Sequence, residues 1–159
     1  MKVMKISKKH FIAITLLVVI FANNACNQKA SDPKEAIAML TSVPDWTIEE
    51  VTIDNAVTYK DGKIIKQFGG VDFERYMETV RFKTDGNIEG YYKGDTKPIV
   101  LKWKTGAKEI AVSAAGDSKG GAWTISPSDV TKESFVMKTE SNAYDFPRVT
   151  KIELNFKKK

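Results

Sequence analysis

Hydrophobic and polar residues alternate with a period of two through most of the chain after Pro44, which is the pattern of half-buried β-strands. Each alternating segment carries one apolar face and one mostly polar face, as expected for an antiparallel sheet with water on one side. The apolar positions that define these segments are Ile99, Leu101, Trp103, Ile110, Val112, Ala114, Trp123, Ile125, Phe135, Met137, Ile152, Leu154 and Phe156. The pattern therefore predicts a domain built mainly from strands.

Short turn sequences separate these segments. They are Asp61-Gly62, Thr84-Asp85-Gly86-Asn87, Thr105-Gly106, Lys119-Gly120-Gly121 and Ser126-Pro127-Ser128-Asp129. Such connections favour hairpins and leave no room for the long crossover that parallel strands require. We therefore predict an all-β fold, an up-and-down antiparallel β-barrel of about eight strands, because closure of the sheet removes its exposed edges.

The segment before Pro44 predicts one short N-terminal helix. Asp32 can cap the first free N–H groups, Pro33 suits the first helical position, and Glu35 lies in the first turn, where an acidic side chain is favourable. The apolar face of this helix contains Ala36, Ile37 and Leu40. A helix of about two turns cannot form a core alone, so we expect it to pack against the sheet.

The first strand changes phase part of the way along. Trp46 and Ile48 share one face of the alternation, whereas Val51 and Ile53 have the opposite parity. An extra residue at Glu49-Glu50 would reconcile the two halves as a β-bulge, and bulges help a sheet to bend towards closure. Two short strands joined at a kink would fit the same pattern.

Residues 1–25 have the order of a secretory signal peptide, with a lysine-rich start, an apolar run and small residues before the cleavage point. The apolar run from Phe11 to Ala22 is about 12 residues long, well below the roughly 20 that a helix needs to cross a bilayer. Cys26, the only cysteine in the chain, follows Ala25 directly. This arrangement resembles the lipobox of bacterial lipoproteins, which implies that Cys26 is the lipid attachment site. The alternative is an ordinary cleaved signal with an incidental thiol.

Removal of the signal peptide changes the charge of the protein. The whole chain has a net charge of +5, but the signal contains four lysines and no acids, so 21 basic and 20 acidic residues remain. Nucleic-acid binding requires a concentrated basic surface, and the mature chain shows none, so we expect no nucleic-acid partner. We predict three parts: a signal peptide (1–25), a polar tether (26–31) and one barrel domain (32–159).

The mature chain lacks the residues for most catalytic arrangements. The only histidine of the whole chain, His10, lies inside the predicted signal, which leaves the mature part no imidazole for a Ser-His-Asp or Cys-His arrangement and no histidine ligand for zinc. Gly69-Gly70 and Gly120-Gly121 are not followed by the Lys-Ser/Thr and helix of a phosphate loop. We therefore expect no enzymatic activity, no metal and no cofactor.

Carboxylates are the remaining route to catalysis, since two acids that flank a bond suffice for glycoside hydrolysis. Asp72, Glu74 and Glu78 lie close together in the sequence. If Val80 and Phe82 point inwards, alternation directs Glu78 inwards as well, where burial is costly unless the carboxylate is paired or wet. Glu78 would then be a polar contact for a ligand, or an acid. At the barrel rim, or on the outer face, it would be solvated or paired with a lysine.

Several local patterns together resemble the lipocalin-like lipoproteins of Bacteroidetes. They are the short N-terminal helix, Trp46 at the opening of the first strand, the Phe82…Asp85-Gly86 hairpin, the Trp123-x-Ile125 strand and the final Ile152-x-Leu154-x-Phe156 strand. The resemblance implies a small barrel with a cup for an apolar ligand, and an Arg late in the chain, here Arg148, stacked on Trp46. Because Asn27 follows the cysteine in place of Asp, it also implies the outer membrane, facing either the periplasm or the surface.

Aromatic side chains on the predicted inner faces could either line an apolar pocket or fill the barrel. They are Trp46, Tyr92, Trp103, Trp123, Phe135 and Phe156. Our candidate ligand-binding residues are Glu78, Tyr92, Trp103 and Trp123. We expect a lipid-anchored envelope protein that binds a small apolar or amphipathic ligand. The alternatives are an envelope interaction or inhibitor protein with a filled barrel, and a carboxylate-based hydrolase.

Overall fold

The described residues form one helix and ten strands. Helix α1 (Pro33–Ser42) precedes β1 (Trp46–Ile53), β2 (Ala56–Lys60), β3 (Lys63–Ile64), β4 (Met77–Phe82), β5 (Asn87–Tyr92), β6 (Ile99–Thr105), β7 (Ile110–Ala114), β8 (Trp123–Ile125), β9 (Ser134–Asp145) and β10 (Arg148–Lys158), with a 3-10 turn at Pro127–Asp129. The computed structural model describes residues 28–66, 77–114, 123–145 and 147–159, without the side chains of 143–145.

Eight of these strands close into an antiparallel barrel, which confirms the predicted fold class. Strands β4 to β10 form a continuous meander, and β1 completes the ring by pairing with β4 on one side and with β10 on the other. The β2–β3 hairpin lies outside this ring, against the second half of β1. Trp46 and Thr47 at the start of β1 pair with β4, whereas the second half of β1 pairs with β2 on the same side.

The phase change in β1 is a β-bulge, as the alternation predicts. Ile48 pairs with Phe156 and Glu50 pairs with Asn155, which leaves Glu49 as the extra residue. The buried positions of β1 are Trp46, Ile48, Val51 and Ile53. The bulge therefore keeps both halves of the strand facing the core, at the place where β1 changes neighbours.

The described turns include one that the sequence analysis did not identify. Asp54 and Asn55 connect β1 to β2 with positive φ angles of 48° and 65°, the backbone that a two-residue hairpin turn requires. Asp and Asn tolerate this left-handed region better than other non-glycine residues, so the adjacent pair was the available signal. Lys119-Gly120-Gly121 lies outside the described residues.

Helix α1 begins as predicted. The Oδ1 atom of Asp32 accepts a hydrogen bond of 2.8 Å from the backbone N–H of Glu35, and the Glu35 carboxylate accepts one of 2.7 Å from the backbone N–H of Ser31. These two reciprocal bonds satisfy donors that a helix start leaves free. The buried residues of α1 are Ala36, Met39 and Leu40, and they close one end of the barrel, which we call the helix end. The opposite end we call the far end.

Aromatic rings fill the interior at the helix end. Phe135 makes edge contacts with Trp46 and Phe82, at centroid distances of 5.1 and 5.4 Å, and stacks on Phe156 at 4.8 Å. The indole Nε1 of Trp46 donates a 3.0 Å hydrogen bond to the carbonyl of Leu40, which joins α1 to the barrel. This part of the interior is a packed aromatic core.

Candidate functional site

The structure places the four candidate ligand-binding residues in two separate neighbourhoods. Glu78 and Tyr92 lie on the β4–β5 pair, where Met77 is opposite Tyr92. Trp103 and Trp123 lie on β6 and β8, on either side of Val112 of β7. Each neighbourhood therefore has its own surroundings and is considered separately.

Glu78 lies in an irregular part of β4. The pairing of β4 with β5 shifts register between Met77 and Thr79, so the inward direction of Val80 and Phe82, which are both buried, does not carry back to Glu78 by simple alternation. Glu78 is half-buried, and its backbone carbonyl accepts a hydrogen bond of 3.2 Å from Thr47 Oγ1. Asp72 and Glu74, the other two carboxylates of the predicted group, lie outside the described residues, so the structure does not place them relative to Glu78.

Trp103 and Trp123 flank a fully buried residue. Each is paired directly with Val112, which has no exposed surface, and directly opposed residues in an antiparallel sheet share a face. Both indoles are half-buried and pack against the core. They are therefore wall residues that keep part of their surface free.

An open cleft lies beside Trp103, between the first turns of α1 and the β6–β7 turn. Its volume is about 520 Å³, and its lining residues are Asp32, Pro33, Lys34, Ile37, Trp103, Thr105 and Gly106. We call this space the Trp103 cleft. It combines an aromatic and aliphatic wall with one anionic and one cationic side chain at its edge, a mixture that suits an amphipathic molecule.

Backbone contacts hold Trp103 in place at this cleft. Its indole Nε1 donates a 3.0 Å hydrogen bond to the carbonyl of Lys83, and its backbone N–H bonds the carbonyl of Gly86 at 2.9 Å. Because the polar atom of the indole is already satisfied, the free part of the ring is purely apolar. Burial of a large side-chain surface of this kind stabilises a complex by roughly 25 cal/mol per Å².

The opposite wall of the cleft comes from residues that the sequence analysis assigned only to helix formation. Asp32 and Pro33 start α1, and Ile37 is half-buried against the core. Their second role depends on where the β6–β7 turn lies in the barrel, a contact between distant parts of the chain that periodicity does not encode. Trp103 was the only member of the cleft that sequence identified as a candidate.

A charged network crosses the outer face at the start of β1. Arg81 donates hydrogen bonds of 3.0 Å from Nε and 2.8 Å from Nη2 to Asp45 Oδ1, and Lys83 Nζ lies 2.9 Å from Glu89 Oε1. The hydroxyl of Tyr91 donates to the other Glu89 oxygen at 3.3 Å. Hydrogen bonding from Lys83 lowers the pKa of Glu89, and hydrogen bonding to Asp45 raises the pKa of Arg81.

The expected stacking of Arg148 on Trp46 is wrong. Trp46 pairs with Lys158, at the other end of β10 from Arg148, and about ten residues of strand span roughly 33 Å. Arg148 Nη2 instead lies 3.3 Å from Asp54 Oδ2, beside the β1–β2 turn. Arg81, by contrast, does reach the start of β1, where its Nε also donates to the carbonyl of Pro44 at 3.1 Å.

The free energy of unfolding should depend on pH mainly below pH 5. The pKa of Glu89 is lowered by Lys83, and that of Asp85 by the backbone N–H of Asn87, so each contribution is present above the unfolded value of about 4 and is lost as the pH falls through the folded value. Since residues 26–159 contain no histidine, we expect this part of the chain to have a constant urea midpoint between about pH 5.5 and 7 and a decrease below pH 4.5. The Glu89→Gln variant should show a smaller decrease; an equal decrease would contradict the assignment.

The described residues were also searched for metal sites and membrane-spanning helices. They contain no group of three or more His, Cys, Asp or Glu side chains arranged to hold a metal ion. They also contain no helix of sufficient length and apolar character to span a membrane. The structure does not describe the predicted signal peptide, Cys26, Asn27, Gly69-Gly70 or Gly120-Gly121.

Comparison with known proteins adds no relative. No protein-family model matches the chain, and neither the curated proteins nor the solved structures contain a significant match.

Proposed function

We propose that this chain is a lipid-anchored, non-catalytic lipoprotein of the bacterial cell envelope that binds a small amphipathic ligand in the Trp103 cleft. The observation that carries the proposal is the cleft itself. Its volume of about 520 Å³ falls within the range of roughly 300–1,000 Å³ that is typical of ligand pockets. The lipocalin-like resemblance supports a binding role, although the cleft lies beside the helix and not inside a cup.

The geometry of the cleft favours a ligand with one apolar and one polar part. Trp103, Pro33 and Ile37 offer apolar surface, while Asp32 and Lys34 lie at the rim. The rings that pack around Phe135 occupy the barrel interior at the helix end. The ligand would therefore lie along the surface groove, with its apolar part against Trp103.

The anchor is the second half of the proposal. It is supported by the order of the first residues, in which a lysine-rich start and an apolar run precede Cys26. Two or three acyl chains would hold the protein on a membrane essentially permanently, since each buried methylene contributes ~0.8 kcal/mol. We take the outer membrane as the location because Asn27 follows the cysteine.

A second candidate function, an envelope interaction protein, is favoured by exposed aliphatic side chains on the β2–β3 hairpin. Ile64 and Ile65 are 46% and 60% exposed, and Val57 of β2 is also exposed. Exposed apolar residues that lie close together can mark a contact surface. They are distant in sequence from the Trp103 cleft, so one set of variants can separate the two functions.

Binding of a dansyl-labelled fatty acid to the mature chain carrying Cys26→Ser tests the cleft. We expect Trp103→Ala to weaken binding by at least about ten-fold, which corresponds to ~1.4 kcal/mol, and Ile37→Gln on the opposite wall to weaken it as well. Ile65→Gln, at an exposed position away from the cleft, should bind as tightly as the parent. Circular dichroism and thermal unfolding establish that each variant is folded.

The ligand proposal is wrong if the folded parent takes up no probe, or if Trp103→Ala and Ile37→Gln both bind it unchanged. Loss of binding in Ile65→Gln alone would place the site on the β2–β3 hairpin instead. The anchor is tested in cells: Cys26→Ser should abolish incorporation of labelled fatty acid and release the protein from membranes. Persistent labelling would overturn the lipoprotein assignment without affecting the cleft.

A further inference from the structure

The N-terminal tether is fixed to the helix end of the barrel. Ala30 is buried, with 5% of its surface exposed, and its backbone N–H donates a 2.9 Å hydrogen bond to the carbonyl of Val130. Val130 is itself fully buried, directly after the 3-10 turn between β8 and β9. The chain therefore does not swing freely from Asp32 but is held to the domain from Ala30 onwards.

The length between this fixed point and the proposed lipid is short. Only three residues separate Cys26 from Ala30, and four residue steps in a fully extended chain reach at most ~14 Å. By contrast, the barrel is long, since β10 has 11 residues and would extend for roughly 36 Å along the strand. A tether of this length cannot turn the far end of the barrel towards the bilayer.

The Trp103 cleft lies at the same end of the barrel. Asp32 and Pro33, which line it, come two and three residues after Ala30, and Gly106 on the opposite side belongs to the β6–β7 turn. The cleft is therefore within about six residue steps of Cys26, or at most ~20 Å. Lipid attachment at Cys26 would bring the mouth of the Trp103 cleft close to the headgroup region of the membrane.

We propose that the helix end of the barrel rests on the membrane surface, so that the Trp103 cleft opens towards the lipid headgroups and takes a lipid-like amphipathic molecule from the bilayer. This inference rests on the proposed lipidation of Cys26. The helix end is then the surface that contacts the membrane, and the bilayer is the source of the ligand. The far end, with the β5–β6 turn at residues 93–98, then points away from the membrane.

The charge of the helix end acts in the same direction as the tether. Exposed lysines outnumber exposed acids there, with Lys34, Lys104, Lys108, Lys132, Lys158 and Lys159 against Asp32, Asp85, Glu109 and Glu133. Each basic residue near an anionic surface contributes to the attraction. The helix end should therefore face the bilayer on neutral membranes, where the tether alone acts, and be held there more firmly on anionic ones.

Single introduced cysteines can measure the orientation, because Cys26 is the only cysteine of the chain and lipidation would consume its thiol. We would place a thiol-reactive fluorophore at Lys108→Cys in the helix end or at Lys97→Cys in the far end, both exposed turn positions. The lipidated full chain would be reconstituted into phosphatidylcholine vesicles containing a lipid with a nitroxide on its headgroup. We expect quenching at residue 108 to exceed that at residue 97 several-fold, with and without added phosphatidylglycerol.

Equal quenching at the two positions, or stronger quenching at residue 97, would overturn the orientation. Failure of the anchor has a different signature, because a chain with a free Cys26 thiol would take up fluorophore without any introduced cysteine. Failure of the ligand proposal is also distinguishable: with Trp103→Ala added, the quenching at residue 108 should be unchanged. Transfer of a dansyl-labelled fatty acid from the same vesicles should require Trp103, and transfer that is indifferent to Trp103→Ala would refute the lipid source.

Discussion

Replacement of Phe135 by alanine is expected to lower the free energy of unfolding by about 3–5 kcal/mol, the range for truncation of a large buried aromatic side chain. Phe135 is 1% exposed and is the one ring that contacts Trp46, Phe82 and Phe156 together. Its removal takes contacts from three rings at once and leaves a cavity that the surrounding strands cannot close. Small domains are stable by only about 5–15 kcal/mol, so a substantial unfolded population is expected at elevated temperature.

Urea unfolding of the mature chain, followed by tryptophan fluorescence, measures this loss. Phe135→Leu is the matched control, because it keeps most of the apolar volume and should cost clearly less than alanine. Since Phe135 and Trp46 are in contact, their substitutions should not be additive. A cost below about 1 kcal/mol for Phe135→Ala would mean that the helix end is not the packed core described above.

The Trp46→Ala variant is expected to lose a similar amount, about 3–5 kcal/mol, but with a second consequence for helix α1. Trp46 is fully buried, and its indole N–H is bonded to the carbonyl of Leu40 in the last turns of α1. Without the indole, the helix loses both an apolar surface and a hydrogen bond to the barrel. We therefore expect the segment before Pro44 to become sensitive to protease under conditions in which the strands remain resistant.

Limited proteolysis with mass spectrometry locates the first cleavage. The Trp46→Phe variant separates the two contributions, because it keeps an aromatic ring and removes the N–H group, whose net contribution is about 0.5–1.5 kcal/mol. Cleavage that begins in the strands at the same time as in α1 would show that helix and barrel unfold as one unit, against this expectation.

The architecture of the barrel could be predicted from local features of the sequence. Period-two alternation identified the main strands, the Asp32-Pro33 start identified the helix, and the opposite parities of Ile48 and Val51 indicated a bulge or a kink at Glu49-Glu50. These features are local because each depends on the spacing of residues along one strand or helix turn. The antiparallel order followed from the absence of any connection long enough for a crossover, and closure followed from the need to remove exposed sheet edges.

The features that sequence did not reveal depend on contacts between distant segments. The β2–β3 hairpin lies outside the ring because β1 bends away from β4 after Thr47. The residue pattern of β2 does not indicate which strand it will pair with. The predicted stacking of Arg148 on Trp46 was wrong for a similar reason, because the resemblance suggested a partner for Arg148 without showing which end of β10 lies beside Trp46. The neighbour of β2 and the partner of Arg148 are both decided by the pairing of distant strands.

The candidate site was predictable only in part. Trp103 was identified from its position on an alternating strand, but Asp32 and Pro33 were assigned to the helix start and Ile37 to the apolar face of the helix. Trp103 and Trp123 were both predicted as ligand contacts, and the structure places them on either side of Val112, whereas only Trp103 lines the cleft. A cleft between a helix and a turn has no signature in either segment by itself.

The bulge at Glu49 makes one position of β1 tolerant to a change in chain length. Without Glu49, the four buried residues Trp46, Ile48, Val51 and Ile53 would alternate without interruption, and Glu50 would still fall opposite Asn155. Removal of Glu50 would leave the same residue order as removal of Glu49, whereas removal of Thr52 would put Val51 and Ile53 on opposite faces, because side chains change faces at every step. A deletion during evolution, or in the engineering of this barrel, is therefore permitted at the bulge, where it alters the bend of the wall and leaves its two faces intact.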